Sequence, residues 1–168
     1  MKGIVALGIG GIFIIWFMKK KRTVFCIIDE THSGSVSGTV KLVSKGEQTL
    51  AICNLHGLTP GLHGFHVHEC GDLSRGCAST CSHYNPNGKN HGGPLGPDRH
   101  RGDFGNILAD EQGYCTDQIL ADVTVEELIG RAFIIHANED DLGLGDNEES
   151  KKTGNAGARI ACGKILHN

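Results

Sequence analysis

Residues 64–103 read GFHVHECGDLSRGCASTCSHYNPNGKNHGGPLGPDRHRGD, and they constrain this chain more than any other stretch. Five of the ten histidines fall here, His66, His68, His83, His91 and His100, and Asp103 closes the run. A hydrophobic core has no use for so many ring nitrogens, whereas imidazole is the commonest side-chain ligand of metals and suits zinc and copper. His66 and His68 are an H-x-H pair. On a strand, residues i and i+2 point to one face, so both rings can reach one ion. His83, His91 and His100 with Asp103 offer the imidazole and carboxylate donors of an ordinary tetrahedral zinc set. His136 ends an apolar run, where a single histidine is usually structural, but a site one ligand short gives it a second reading. His63 is out of phase with the H-x-H pair and reads as a structural ring bonded to backbone. The fold must therefore hold two metal sites side by side.

The remaining sequence supplies a β scaffold. Residues 23–28, 35–43, 49–55, 64–69, 104–109, 114–122, 131–136 and 158–166 are rich in β-branched residues and partly alternate, which predicts eight strands. Gly, Asn, Asp and Ser clusters separate them, in line with 25 glycines. Short strands with frequent turns predict an all-β antiparallel sandwich or flattened barrel in one domain, residues 23–168. Residues 70–101 and 137–157 do not read as strands, and loops that long in a compact domain are usually functional. Before the domain, residues 3–18 are uninterruptedly apolar and are followed by Lys19, Lys20, Lys21 and Arg22. Residues 1–22 thus predict a hydrophobic helix that anchors the chain in a membrane. The heavier positive charge after it places the body on the cytosolic side. Secretion after cleavage of a signal is the alternative, although no small-residue cleavage site follows the run.

Five of the sixteen basic residues lie in residues 1–22 with no acid, so eleven stand against nineteen acids in the rest, a net −8. An acidic body with few aromatics excludes nucleic acid as a partner. Seven cysteines are an odd number, so at least one is free or pairs outside the chain, and no C-x-x-C motif suggests a zinc ribbon or a thioredoxin site.

Long stretches carry a resemblance: GLHGFHVHE, HYNP, HGGP, DRHRGDFGN, DDLG and NEESKKTGNAGARIACG. Between about residues 24 and 162 the chain resembles the Cu,Zn superoxide dismutases, including members from large DNA viruses. The resemblance implies an eight-stranded antiparallel Greek-key barrel and the dismutation of superoxide to dioxygen and hydrogen peroxide, for antioxidant defence. It implies copper held by His66, His68, His83 and His136, and zinc held by His83, His91, His100 and Asp103, with His83 bridging the two. It makes Asp140 the aspartate that hydrogen-bonds ligands of both metals, and Arg159 the arginine that docks the anion, acting beside His83 in catalysis. Glu148, Glu149, Lys152 and Thr153 would guide the anion inward. It further implies a Cys77–Cys162 disulfide and a homodimer. The other five cysteines stay thiols unless Cys70 and Cys81, which are close in sequence, form a second bridge. Cys70 stands where many members carry an aromatic near the dimer contact, which weakens the expectation of a dimer. A copper-delivery or metal-binding module on the same fold is the rival reading. Such modules often lack a copper ligand or the arginine, and this chain keeps both.

Overall fold

The computed structural model describes residues 22–166. The predicted helix of residues 3–18 lies outside them. Among the described residues no helix is long and apolar enough to cross a membrane.

The chain forms β1 (Thr23–Ile28), α1 (Glu30–Ser33), β2 (Ser37–Lys45), β3 (Gln48–His56), β4 (Gly61–His68) and β5 (Ser74–Cys77) in order. There follow β6 (Asp103–Ala109), β7 (Gln118–Ala121), α2 (Val125–Leu128), β8 (Ala132–His136), α3 (Ser150–Thr153) and β9 (Arg159–Leu166). Eight strands make one sheet in the order β6-β4-β8-β9-β1-β2-β3-β7. Every pairing is antiparallel, and β6 and β7 at the two ends of the order approach each other, so the barrel is nearly closed. All eight predicted strands are present. Residues 114–117 are the main shortfall. Cys115 keeps a single bridge to Leu55, and the Asp117 carboxylate takes the Leu108 N–H at 2.6 Å, which ends regular pairing there. The four-residue elements β5, α1 and α3 are shorter than a usable period, and α2 is marked only by its capping box, Thr124-x-x-Glu127.

Alternation along β4 and β8 separates the core from the site. Phe65 and Val67 point into the barrel, and Phe65 stacks on Phe133 of β8 at 4.4 Å between ring centroids. Phe104 of β6 meets both rings edge-on, at 6.0 and 5.2 Å. Such aromatic packing contributes beyond its buried area. On the other face of the same strands lie His66, His68, Ala132 and Ile134, which the loops of residues 69–102 and 137–158 cover, so β4 is buried on both sides from His63 to His68. The rigid aromatic cluster therefore sets the positions of the histidines.

Two disulfides tie the first loop down. Cys77 is bonded to Cys162 of β9 across 85 residues of sequence, and Cys70 is bonded to Cys81. The second bridge settles the alternative left open for these two cysteines, since their Cα atoms lie 5.5 Å apart, inside the range a disulfide needs. Cys26, Cys53 and Cys115 are buried thiols, and burial pushes the Cys26 thiol up to about 12.

Truncating the central ring tests this arrangement. Phe133→Ala should cost about 3–5 kcal/mol of stability in a urea titration, because the stack cannot collapse onto the void. A loss under about 1 kcal/mol would show that the triad of rings does not anchor the site-bearing strands.

Candidate metal centre

Two groups of donor atoms lie side by side on the outer face of β4. His66, His68, His83 and His136 form the first, and His83, His91, His100 and Asp103 form the second; all seven residues are buried. His66 and His68 come from β4, His136 from the end of β8 just past a bulge, and His83, His91 and His100 from the long loop. Asp103 opens β6 and pairs with His66 across the sheet. His83 alone belongs to both groups, and it reaches β4 through an isolated bridge to His68.

In the second group the carboxylate of Asp103 divides its work. One oxygen, Oδ2, accepts the backbone N–H groups of Gly92 (3.0 Å) and His100 (2.9 Å), which shapes the loop. The other, Oδ1, lies 2.9 Å from His83 Nδ1, 3.0 Å from His91 Nδ1 and 3.2 Å from His100 Nδ1. A tetrahedral zinc with bonds of about 2.0 Å spaces its donor atoms about 3.3 Å apart, so these edges are those of a slightly contracted zinc tetrahedron. The 3.0 Å approach of His91 Nδ1 to Asp103 is not a hydrogen bond, because that nitrogen has no bonding partner of correct geometry. With an ion between them, this nitrogen and the carboxylate oxygen would be two ligands of one metal; without it, the ring carries a second proton at neutral pH, which a metal displaces.

Four of the six rings are turned by the nitrogen they do not offer. His68 Nδ1 donates to the Cys81 carbonyl at 2.9 Å, and His136 Nδ1 donates to the Gly157 carbonyl at 3.0 Å. The buried Asp140 carboxylate takes His66 Nε2 at 2.8 Å on one oxygen and His91 Nε2 at 2.7 Å on the other. It thereby links a ring of each group, and the triplet His66, His91 and Asp140 is explained by these two hydrogen bonds rather than by a third ion. Four buried nitrogens then remain without a partner: His66 Nδ1, His68 Nε2, His136 Nε2 and His91 Nδ1. Buried polar atoms are nearly always paired, so four orphans aimed at two common points fit a metal at each.

The Asp140 link needs Gly154. A Cβ there would stand 1.9 Å from Asp140 Oδ1 and 2.5 Å from His91 Nε2, and the residue has φ 67° as the C-cap of α3. Only glycine meets both demands. Asn106 fixes the backbone of Asp140 from β6, accepting its N–H at 2.7 Å and donating to its carbonyl at 2.8 Å. Sequence reasoning did not single out Asn106, Gly154 or the carbonyls of Cys81 and Gly157. The last two act through backbone atoms, which leave no trace in residue type. His63 Nδ1 donates to the His136 carbonyl at 2.8 Å and Nε2 faces Thr59, which is the structural role expected for it.

A cavity of about 670 Å³ opens over the first group. Arg159 lies on its wall with Lys152, Thr153 and Glu149, whereas Glu148 is exposed and does not line it. The Arg159 guanidinium is held by three acceptors: Cys77 O at 3.0 Å, Thr80 Oγ1 at 3.1 Å and Cys81 O at 2.6 Å.

Residues 36–165 match the sequence model of the copper/zinc superoxide dismutase family. The chain belongs to this family. It is 50% identical over 137 residues to the Cu-Zn superoxide dismutase of Paramecium bursaria Chlorella virus 1, a span of 79% of this chain and 73% of the viral one. Its fold is similar to the crystal structure of the clock protein EA4, with a TM-score of 0.81 and 37% identity over 91% of this chain and 99% of that one. The family's metals are copper and zinc, and the orphaned nitrogens and the tetrahedral set described above fit them.

Burial sets the protonation of the metal-free rings. Desolvation holds His66, His68 and His83 below the ordinary histidine value and brings His136 to about 4, so these rings are neutral lone-pair donors at neutral pH. Burial alone would raise Asp103, but the histidine donors around it hold it well below the usual carboxylate range. Burial would likewise lower His91, but the Asp103 and Asp140 carboxylates outweigh it and bring this ring to about 9.

These directions predict how the protein behaves once chelators have removed its metals. For His136 the unfolded chain takes up a proton near pH 6.5 while the folded ring waits until about 4, so the unfolded state binds more protons in that window. The metal-free protein should lose stability as pH falls from 6.5 to 4. His91 acts in the opposite sense, and its contribution should fade as pH rises from 6.5 through 9. Thermal unfolding at several pH values reads both. A melting temperature flat from pH 4 to 6.5 would refute the buried-neutral account of the rings.

Proposed function

We propose the following division of labour among the residues of this copper/zinc superoxide dismutase, which converts two superoxide ions and two protons into dioxygen and hydrogen peroxide. His66, His68, His83 and His136 would hold copper, which would supply reversible one-electron chemistry, and His83, His91, His100 and Asp103 would hold zinc, which has no redox chemistry and would fix geometry. The observation that carries this reading is the convergence of orphaned ring nitrogens on two points that share His83.

The protein's own part is to bind, orient and supply a proton. Arg159 meets superoxide in the cavity with a guanidinium whose planar fork suits a small anion. Its bonds to the Cys77–Cys81 segment hold that charge beside His68. Lys152 adds positive potential, and Glu149 and Thr153 shape the rim, with Thr153 Oγ1 donating to Glu149 at 2.7 Å. Glu148 adds a carboxylate outside the wall. His83 keeps Nδ1 beside Asp103, which leaves Nε2 as the nitrogen able to hold a proton for the peroxide product. Asp140 keeps His66 and His91 aligned throughout.

A homodimer and a membrane anchor at residues 3–18, with the body on the cytosolic side, complete the reading. Family resemblance supports the first, and the apolar run with its basic flank supports the second.

His136→Ala separates the two sites. Superoxide dismutation should collapse while zinc content and the fold persist, as read by pulse radiolysis and metal analysis. Near-normal activity at full copper occupancy would remove His136 from the copper set.

Arg159 is tested by charge. Arg159→Glu should cut kcat/KM by about tenfold or more at low ionic strength without changing metal content, and Arg159→Lys should fall between, since charge survives and the fork does not. A Glu variant as fast as the parent would end the docking role.

A further inference from the structure

Cys81 stands in the left-handed region, with φ 65°. An L residue enters that region at a cost, and glycine is the usual occupant. From there its carbonyl accepts two hydrogen bonds at once, from His68 Nδ1 at 2.9 Å and from Arg159 Nη2 at 2.6 Å. The first turns His68 so that Nε2 faces the other ligands. The second aims the guanidinium at the cavity. One backbone oxygen thus sets the relative position of a metal ligand and the docking arginine.

Residue 81 belongs to no helix or strand. What holds it is the bond to Cys70, two residues beyond His68 at the end of β4. Backbone bonds join the same two segments, Glu69 N to Ser82 O at 2.9 Å and Cys70 N to Thr80 O at 3.1 Å. Cys77–Cys162 fixes the other end of this short segment, where Cys77 O and Thr80 Oγ1 take the second guanidinium nitrogen. Arg159 therefore rests on a five-residue cradle closed by a disulfide at each end. The two bonds differ in exposure. Cys77 and Cys162 are buried, whereas Cys81 is exposed and Cys70 half-buried, so a thiol reductant reaches the second bond first.

We infer that the Cys70–Cys81 disulfide is a positioning device for the site: it holds a residue other than glycine in the left-handed conformation whose carbonyl aligns Arg159 with His68. This rests on the docking role proposed for Arg159. Cys70 and Cys81 touch neither substrate nor metal and act through that carbonyl alone.

Two double variants of the full-length, metal-loaded protein test it. Cys70→Ala/Cys81→Ala removes the bond, leaves no stray thiol and keeps the conformational cost at position 81. Cys70→Ala/Cys81→Gly removes the bond and the cost together. The Ala/Ala protein should lose about tenfold in kcat/KM, the scale expected when a reacting geometry shifts by a fraction of an ångström. Its rate should also respond less steeply to ionic strength, and azide, used as a monoanion probe, should bind more weakly. In the metal-loaded protein reduced to diamagnetic Cu(I), NMR should show faster hydrogen exchange at the Arg159 Nη–H groups, a readout that does not depend on turnover. The Ala/Gly protein should recover all four to within about twofold, because glycine adopts φ above zero freely. Should Ala/Ala fail to fold, selective reduction and capping of Cys70 and Cys81 in the folded enzyme makes the same comparison. Parent-like rates and azide affinity in Ala/Ala, or in the capped enzyme, would overturn the inference. So would an Ala/Gly protein as impaired as Ala/Ala, since that outcome means a clamp indifferent to backbone conformation. Arg159→Glu keeps the two claims apart. A full rate in that variant defeats the docking role itself, whereas a low rate there beside parent-like cysteine variants defeats only the disulfide's part.

Discussion

Four imidazole nitrogens buried without a protein partner are the constraint around which this structure is built. Leaving a polar group unpaired in the interior costs on the order of 1–3 kcal/mol each, and a small barrel cannot absorb several such losses for nothing. Ions discharge that cost, but only if every ring is already turned the right way, because an imidazole offers its lone pair along one direction. The fold meets the requirement by bonding the opposite nitrogen of each ring to something rigid. For His68 and His136 that is a loop carbonyl, and for His66 and His91 it is Asp140. Asp140 is in turn held by Asn106 on β6 and approached by Gly154, which has no side chain to obstruct it. The orientation of His66 and His91 is thus traceable to strand β6 within two hydrogen bonds.

The same requirement explains why β4 is buried on both faces. Phe65 and Val67 serve the aromatic core, and His66 and His68 serve the site, so the strand needs a barrel on one side and a lid of long loops on the other. Loops carry few backbone ladder bonds. Here they are secured instead by side chains that reach backbone carbonyls. Arg99 is buried in the ligand loop and donates to His100 O at 2.5 Å and Asp122 O at 2.6 Å, while Arg101 pairs with Glu127 of α2 at 2.7 Å. The loop bearing three histidines is therefore bolted to the far end of the sheet order by two arginines, and to β9 by a disulfide.

This pattern also decides what the sequence could disclose. The strands were legible because β-branched alternation survives in residue type, and the clustering of histidines was legible because so many have no other use. His136 was ambiguous by itself, and only a partner list from elsewhere in the chain gave it weight. The resemblance of long motifs named the ligand sets, and the structure gathers those residues at two points. What stayed hidden were contacts made by backbone atoms. The Cys81 and Gly157 carbonyls could have belonged to any residue, and Gly154 looks like every other glycine until its distance to Asp140 is known. The Cys70–Cys81 pairing stayed open for a related reason. Eleven residues of separation permit a bridge, but only the path of the loop brings the Cα atoms to 5.5 Å.

Metal holding and anion capture answer to different physical variables in this design. The ligand sets are buried, so their interactions are screened little by salt and respond to pH, through rings whose protonation removes a lone pair. Anion capture works against a body of net charge −8 beyond residue 22, which repels superoxide at long range. Attraction must then come from a few cations at fixed places around the cavity. A guanidinium tied to three acceptors holds its charge in place, and Lys151 and Lys89 are similarly restrained, each ammonium bonded to a backbone carbonyl, of Gly143 and Pro97 respectively. At 0.1 M salt the screening length is about 10 Å, so this local field acts only near the mouth, where the acidic body weighs least. Fixed cations close to the reacting point can therefore overcome a larger but more distant negative charge, and under the docking role proposed for Arg159 their advantage depends on how firmly the Cys77–Cys81 cradle keeps that residue in place.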